Sequence, residues 1–188
     1  MIFSSGLFLA MFVVFTLIYY ILSGKTTAKL LFVTLFSYYF YYKSSGMHVV
    51  LLAIVTTTDY LIARWIARAT KGIGILLSLS ILTDLGLLFY FKYTNFFGSI
   101  ISGLAGGQFQ PLDIVLPVGI SFFTFQSMSY TIDVYRRRLK PVGSWLDYAF
   151  YVSFFPQLFA GPIVRARDFI PQIRRRGGVR ETMMARRG

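Results

Sequence analysis

No charged residue occurs in residues 2–22, and about twenty apolar residues are what a helix needs to cross a hydrocarbon core of ~30 Å. The feature recurs. Further apolar runs fall at roughly 28–42, 47–66, 73–91, 114–134 and 145–164, the last interrupted by Pro156, Gly161 and Pro162. Charged residues make up only 14% of the chain and hydrophobic ones 56%, whereas a water-soluble domain carries about 25% charge. A chain this poor in polar side chains cannot wet the surface of a soluble globule. The reading is all-α: a polytopic transmembrane helical bundle with a broken or re-entrant helix near its C-terminal end. Nothing basic precedes the first run, which distinguishes it from a secretory leader and makes it a retained helix.

Several chemistries are excluded at once. There is no cysteine, hence no disulfide scaffold, thiolate metal site or cysteine nucleophile. A single histidine, His48, leaves no multi-histidine metal set, so no metal and no bound cofactor is expected. The net charge of +12 is uneven: seven Lys/Arg face four Asp up to Asp133, and twelve face three acids from Val134 on. In a chain embedded in lipid the nearest polyanion is the membrane surface, where each Lys/Arg gains roughly 1 kcal/mol. The bilayer, rather than nucleic acid, is the expected partner of that half.

Loop charges suggest an orientation. The first, third and fifth connections carry Lys25 and Lys29, then Arg64, Arg68 and Lys71, then Arg136 to Arg138 and Lys140, while the second and fourth hold only Lys43 and Lys92. Positive residues stay in the cytoplasm, which predicts a multi-pass protein with its N-terminus outside.

Five features bear on possible chemistry. Asp59 and Asp84 stand inside apolar runs, where a charge is costly and is either paired or functional. Counted inward, Asp59 falls in the cytoplasmic half and Asp84 in the outer half, so they are not expected to be partners. Asp133 precedes Arg136 and Arg137 at helical ion-pair spacing. Pro117 suits a first helical position, and beyond Gly119 the residues Ser121, Thr124, Ser127, Met128 and Thr131 form a small polar stripe that either packs against other helices or lines a cavity. The segment through Phe155, Pro156, Gly161, Pro162 and Arg165 breaks its own helix, either as a re-entrant piece or as a kink, and irregular backbone at that depth needs protein or water to satisfy it. His48 begins a span and has no sequence neighbour to orient it as a base.

Taken in order, Met1 to Ser5, Asp59-Tyr60, Tyr90 to Phe96, the block 116–136 and Ser153 to Gln157 with Gly161-Pro162-Ile163 resemble the membrane-bound O-acyltransferases, nearest to the bacterial alginate O-acetylase branch and ahead of the D-alanyl transfer proteins of teichoic acid. The resemblance runs over residues 1–176. It implies helices around a tunnel in the bacterial inner membrane, an acyl donor such as acetyl-CoA or an acyl carrier, a hydroxyl acceptor on an exported polysaccharide such as alginate, and periplasmic O-acetylation proteins as partners. Members of the family are more than twice as long and hold their catalytic histidine in the later half, a position His48 does not match. No catalytic residue is therefore transferred. Pro117, Gly119, Ser121, Phe155, Pro156, Gly161, Pro162 and Arg165 correspond as elements shaping the core. Residues 177–188 form a basic tail unlike the family, so the expectation is a truncated, inactive N-terminal part. Half of a transporter or channel, or a non-catalytic scaffold of polysaccharide or teichoic-acid modification, are the readings from other classes.

Overall fold

The computed structural model describes residues 6–22, 24–160 and 164–173. Its helices are α1 (Gly6–Ile21), α2 (Thr26–Ser45), α3 (Val49–Arg68), α4 (Ile73–Leu104), α5 (Ile120–Tyr135), α6 (Trp145–Ser153), α7 (Phe155–Ala160) and α8 (Ala166–Ile173). A single 3₁₀ turn, Gly46–His48, joins α2 to α3. No strand forms among the described residues.

The centre of the fold is α3, which packs on α4, α5 and α6, with α5 also against α4 and α6 also against α2. Arg137, just past the end of α5, reaches the carbonyl of Ala67 at the end of α3. At the other end, the Val118 N–H donates to Ser45 Oγ at 3.2 Å. Thus α3 and α5 run in the same direction, and α4, entered through the short turn after α3, runs against both. Helix α1 lies outside this group, held on α2 and α7 by rings: Phe15 sits 4.5 Å from Phe36 and 5.7 Å, edge-on, from Phe155.

Helix α4 shows what solvent this fold is made for. Its buried residues are Ser80, Asp84 and Leu88, while Leu82, Ile101 and Leu104 are 68%, 64% and 85% exposed. Apolar surface left exposed in water forgoes roughly 25 cal/mol per Å² of favourable burial, and buried carboxylates are costly anywhere. A helix with polar residues inside and apolar ones outside is stable with lipid around it. Two stretches are long and apolar enough to cross a membrane, Thr26–Arg68 through its 3₁₀ turn and Ile73–Leu104.

Two boundaries differ from the expected ones. Helix α4 does not stop near Phe91 but continues for 32 residues, because Phe96, Phe97, Ile100 and Ile101 extend the apolar face through the Gly- and Ser-containing segment. It ends where Gly106 turns left-handed (φ +71°), with the Gly107 N–H on the Ser102 carbonyl and the Gly106 N–H on that of Gly103, the glycine-terminated C-cap. Pro117 is not the first helical residue. It precedes a turn closed by the Ile120 N–H on its carbonyl, and α5 starts only after Gly119, at φ +73°. A Cβ on Gly119 would stand 2.8 Å from the carbonyl oxygen of Leu158, so this position needs glycine both for its backbone and for the close approach of α7.

The break between α6 and α7 is satisfied from both sides. A continuous helix would place the Phe155 N–H on the Tyr151 carbonyl. Instead Phe155 donates to Ser37 Oγ of α2 at 3.3 Å, and the Tyr151 carbonyl accepts Nε2 of Gln126 on α5 at 2.7 Å. Pro156 falls in the first turn of α7, where its missing N–H leaves no bond unmade.

Candidate functional site: a buried carboxylate pair

Asp59 and Asp84 meet, contrary to the sequence expectation. Both are 1% exposed, and the two carboxyl groups are close enough to interact electrostatically. The reason is a shared depth: Asp84 is eleven residues into α4, about 16 Å along its axis, and Asp59 is nine residues, about 13 Å, from the end of α3, both counted from the turn that joins the two helices.

Around the pair, each oxygen of Asp59 takes one serine. Ser80 Oγ donates to Oδ1 at 2.6 Å, and Ser127 Oγ donates to Oδ2. Ser127 is also 2.7 Å from the Tyr148 hydroxyl. A serine has one proton to give, so with that proton on Asp59, Tyr148 must be the donor of the second bond. The result is a directed chain, Tyr148 to Ser127 to Asp59, through three helices. Asp84 Oδ2 has no hydrogen-bond partner among the described residues.

The tyrosines extend the network. Tyr130 and Tyr148 rings lie 4.4 Å apart, and the Tyr130 hydroxyl accepts the Val142 N–H at 3.0 Å. Tyr60 donates to the Gly143 carbonyl at 3.1 Å while accepting from Arg64 at 2.7 Å. These bonds fix the 136–144 connection over the end of the bundle.

The polar stripe of α5 divides. Thr124, Ser127 and Thr131 are fully buried, which is the packing reading, whereas Ser121 and Met128 are half-buried. Met128 lines a cavity of about 330 Å³ together with Asp133, Arg136, Arg138 and Arg165. The expected pairing of Asp133 with Arg136 or Arg137 is not among the ion pairs of the described residues, whereas Arg167 pairs with Asp168 at 3.6 Å. Phe155 is buried, Pro156 exposed, and Pro117 buried beneath the turn. Gly161 and Pro162 lie outside the described residues. A second, apolar cavity of about 500 Å³ lies between α1, α2, α7 and α8, with Phe15, Phe155 and Pro156 in its wall and Lys29 among its polar residues. His48 has Nδ1 2.7 Å from the Ser45 carbonyl and its ring edge-on to Phe91, contacts that hold a span end. Ser80 and Tyr148 were not singled out from the sequence. Ser80, four residues before Asp84, carried a readable signal; Tyr148, in another element, carried none.

Fold and site together define a helical membrane protein with serines and the carboxyls of Asp59 and Asp84 turned into its core. Over 183 residues the chain is 39% identical to the probable alginate O-acetylase AlgI of Azotobacter vinelandii, which covers 94% of this chain and 36% of that protein. The identity to the protein of the same name from Pseudomonas aeruginosa is also 39%, over 94% of this chain and 35% of that one. A peptidoglycan O-acetyltransferase of Helicobacter pylori is 36% identical over 122 residues, 52% of this chain and 23% of that protein. The chain spans about a third of the length of the alginate O-acetylases it matches. No family model and no solved structure matches it. Its homologues are thus alginate O-acetylases and a peptidoglycan O-acetyltransferase, consistent with the alginate O-acetylase-like branch of the membrane-bound O-acyltransferases.

Proposed function

We propose that this chain forms part of the membrane domain of an O-acyltransferase that moves an acetyl group onto hydroxyls of an exported polysaccharide such as alginate. The observation that carries the reading is the 39% identity over 94% of the chain to two alginate O-acetylases. Those names speak for acyl transfer rather than for a transporter half or a scaffold. The acetyl–sulfur bond of a donor such as acetyl-CoA or an acyl carrier breaks, an ester to the sugar oxygen forms, the hydroxyl proton passes to a base, and the sulfur takes up a proton. His48, tied to Ser45 and Phe91, is not that base, and by itself the 188-residue chain does not catalyse the transfer. Its part is to hold shape, with Asp59, Ser127 and Tyr148 locking α3, α4, α5 and α6 around the break at Phe154.

The bilayer in question is the bacterial inner membrane, with the N-terminus outside and periplasmic O-acetylation proteins as partners. The α6–α7 piece is re-entrant in this reading. Its support is that Leu158 meets Gly119 at one end of α5 while Arg165 shares a cavity with Arg136 and Arg138 at the other. The test is a segment exchange: this chain replaces the matching stretch of the A. vinelandii AlgI. Retained acetylation of alginate is expected, and loss of acetylation by a chimera that is present in the membrane at normal levels would overturn the reading. For the chain alone, acetyl ester formed on alginate by the purified protein with acetyl-CoA would overturn its inactivity.

A further inference from the structure

Four arginines from two separate parts of the sequence converge. Arg136 and Arg138 follow α5, Arg165 and Arg167 flank the start of α8, and all four line the cavity of about 330 Å³. The run Arg136-Arg137-Arg138 does not act as one block. Arg137 adopts a left-handed backbone, φ +59°, and its guanidinium turns to the Ala67 carbonyl, which leaves its two neighbours to the cavity. Against the four guanidinium groups stand Asp133 in the cavity wall and Asp168, 3.6 Å from Arg167. Among the described residues no further carboxylate lines the site, which keeps a positive excess.

The rest of the wall is linear and, apart from Ser129, apolar. Phe125, Met128 and Ile132 line it with Asp133 and Arg136, positions three, seven, eight and eleven residues beyond Phe125 and so on one face of α5. From Phe125 to Arg136 the face rises about 16 Å, with hydrocarbon along its length and guanidinium at its end. Planar guanidinium forks match phosphate oxygens bidentately, and a free phosphate would leave the apolar wall unused. Phe125 is 43% exposed, open to whatever surrounds the helix.

We propose that this cavity binds the phosphate headgroup of an anionic membrane phospholipid, with one acyl chain along Phe125, Met128 and Ile132. The site requires that the chain sit in a bilayer and does not depend on acyl transfer, so the two ideas fail separately.

The experiment uses the full chain, purified in detergent and incorporated into nanodiscs of phosphatidylcholine containing phosphatidylglycerol, with the lipids that stay bound after extraction counted by native mass spectrometry. The wild-type chain is expected to retain phosphatidylglycerol about tenfold over phosphatidylcholine, and Arg136→Gln/Arg138→Gln to lose that preference, because basic residues favour an anionic headgroup. Arg68→Gln/Lys71→Gln, the same charge loss at the turn after α3, is expected to keep it. If the first variant loses its helical circular dichroism, Arg165→Gln/Arg167→Gln, whose side chains are also exposed, takes its place. An unchanged preference in the folded cavity variant, or an equal loss in the turn variant, would overturn the site. Displacement of bound phosphatidylglycerol by equimolar inorganic phosphate or glycerophosphoglycerol would make it a site for free phosphate and overturn the lipid assignment.

Discussion

Asp59 accepts a serine on each carboxylate oxygen and neighbours a second carboxyl, so the cost of changing it depends on which groups the replacement leaves unpaired. Alanine strands the hydroxyls of Ser80 and Ser127, and an unsatisfied buried polar group costs ~1–3 kcal/mol. Asparagine keeps one acceptor and brings a donor that Asp84 can accept. Asp59→Ala is therefore expected to lower stability by ~2–4 kcal/mol, and Asp59→Asn by at least ~1 kcal/mol less. Thermal unfolding in one detergent, followed by circular dichroism, checks the order; equal losses would show that the serines do not depend on this carboxylate. Gly119 offers a second residue-scale test. A left-handed non-glycine costs roughly 1–2 kcal/mol, and here a Cβ would also press the Leu158 carbonyl at 2.8 Å, so Gly119→Ala is expected to cost more than ~2 kcal/mol. Gly86, in open space within α4, is the control. Its alanine variant should unfold no earlier than the wild type.

At the scale of elements the informative feature is the interruption after Ser153. Pro156 was legible as a breaker, and the small polar stripe of α5 was legible as an interior face. The partners of the break were not, because Ser37 and Gln126 stand 118 and 25 residues from the groups they serve and neither looks unusual in its own helix. The pairing of Asp59 with Asp84 was hidden because the two fall just either side of the middle of their apolar runs, although they stand at nearly equal depth, about 13 and 16 Å, from the turn that joins α3 to α4. Ser37→Ala and Gln126→Leu each leave one freed backbone group without its partner in a nearly water-free place, and each is expected to cost ~1–3 kcal/mol. Pro156→Ala should not undo the break, since the Phe155 N–H and the Tyr151 carbonyl are already committed elsewhere. Amide hydrogen exchange across α6 and α7 distinguishes the cases: faster exchange at Phe155 in Ser37→Ala, and an unchanged pattern in Pro156→Ala. Protection propagating across residue 154 in the proline variant would show that the ring, and not the partners, makes the break.

For the whole molecule the question is which end of each helix faces which side, and the absence of cysteine gives every introduced thiol a unique signal. The shared direction of α3 and α5, fixed by Arg137 on Ala67 and by Val118 on Ser45, puts the 69–72 turn and the 136–144 connection at one end of the bundle. The 3₁₀ turn at Gly46–His48 and the end of α4 belong to the other. Helix α4, at about 48 Å, exceeds a ~30 Å hydrocarbon core, so its last turns tilt or project beyond it. Single variants Lys71→Cys, Arg138→Cys and Arg167→Cys are expected to react with a membrane-impermeant maleimide only from the cytoplasmic side of inverted vesicles. Met47→Cys and Gln108→Cys, both at exposed positions, should react only from the outside of intact cells. The decisive member is Arg167→Cys. If it labels with Arg138→Cys, the α6–α7 piece enters and leaves by the same face and the four arginines share one leaflet. Labelling with Met47→Cys instead would make that piece a full crossing, and neither the re-entrant segment nor the phospholipid cavity could stand.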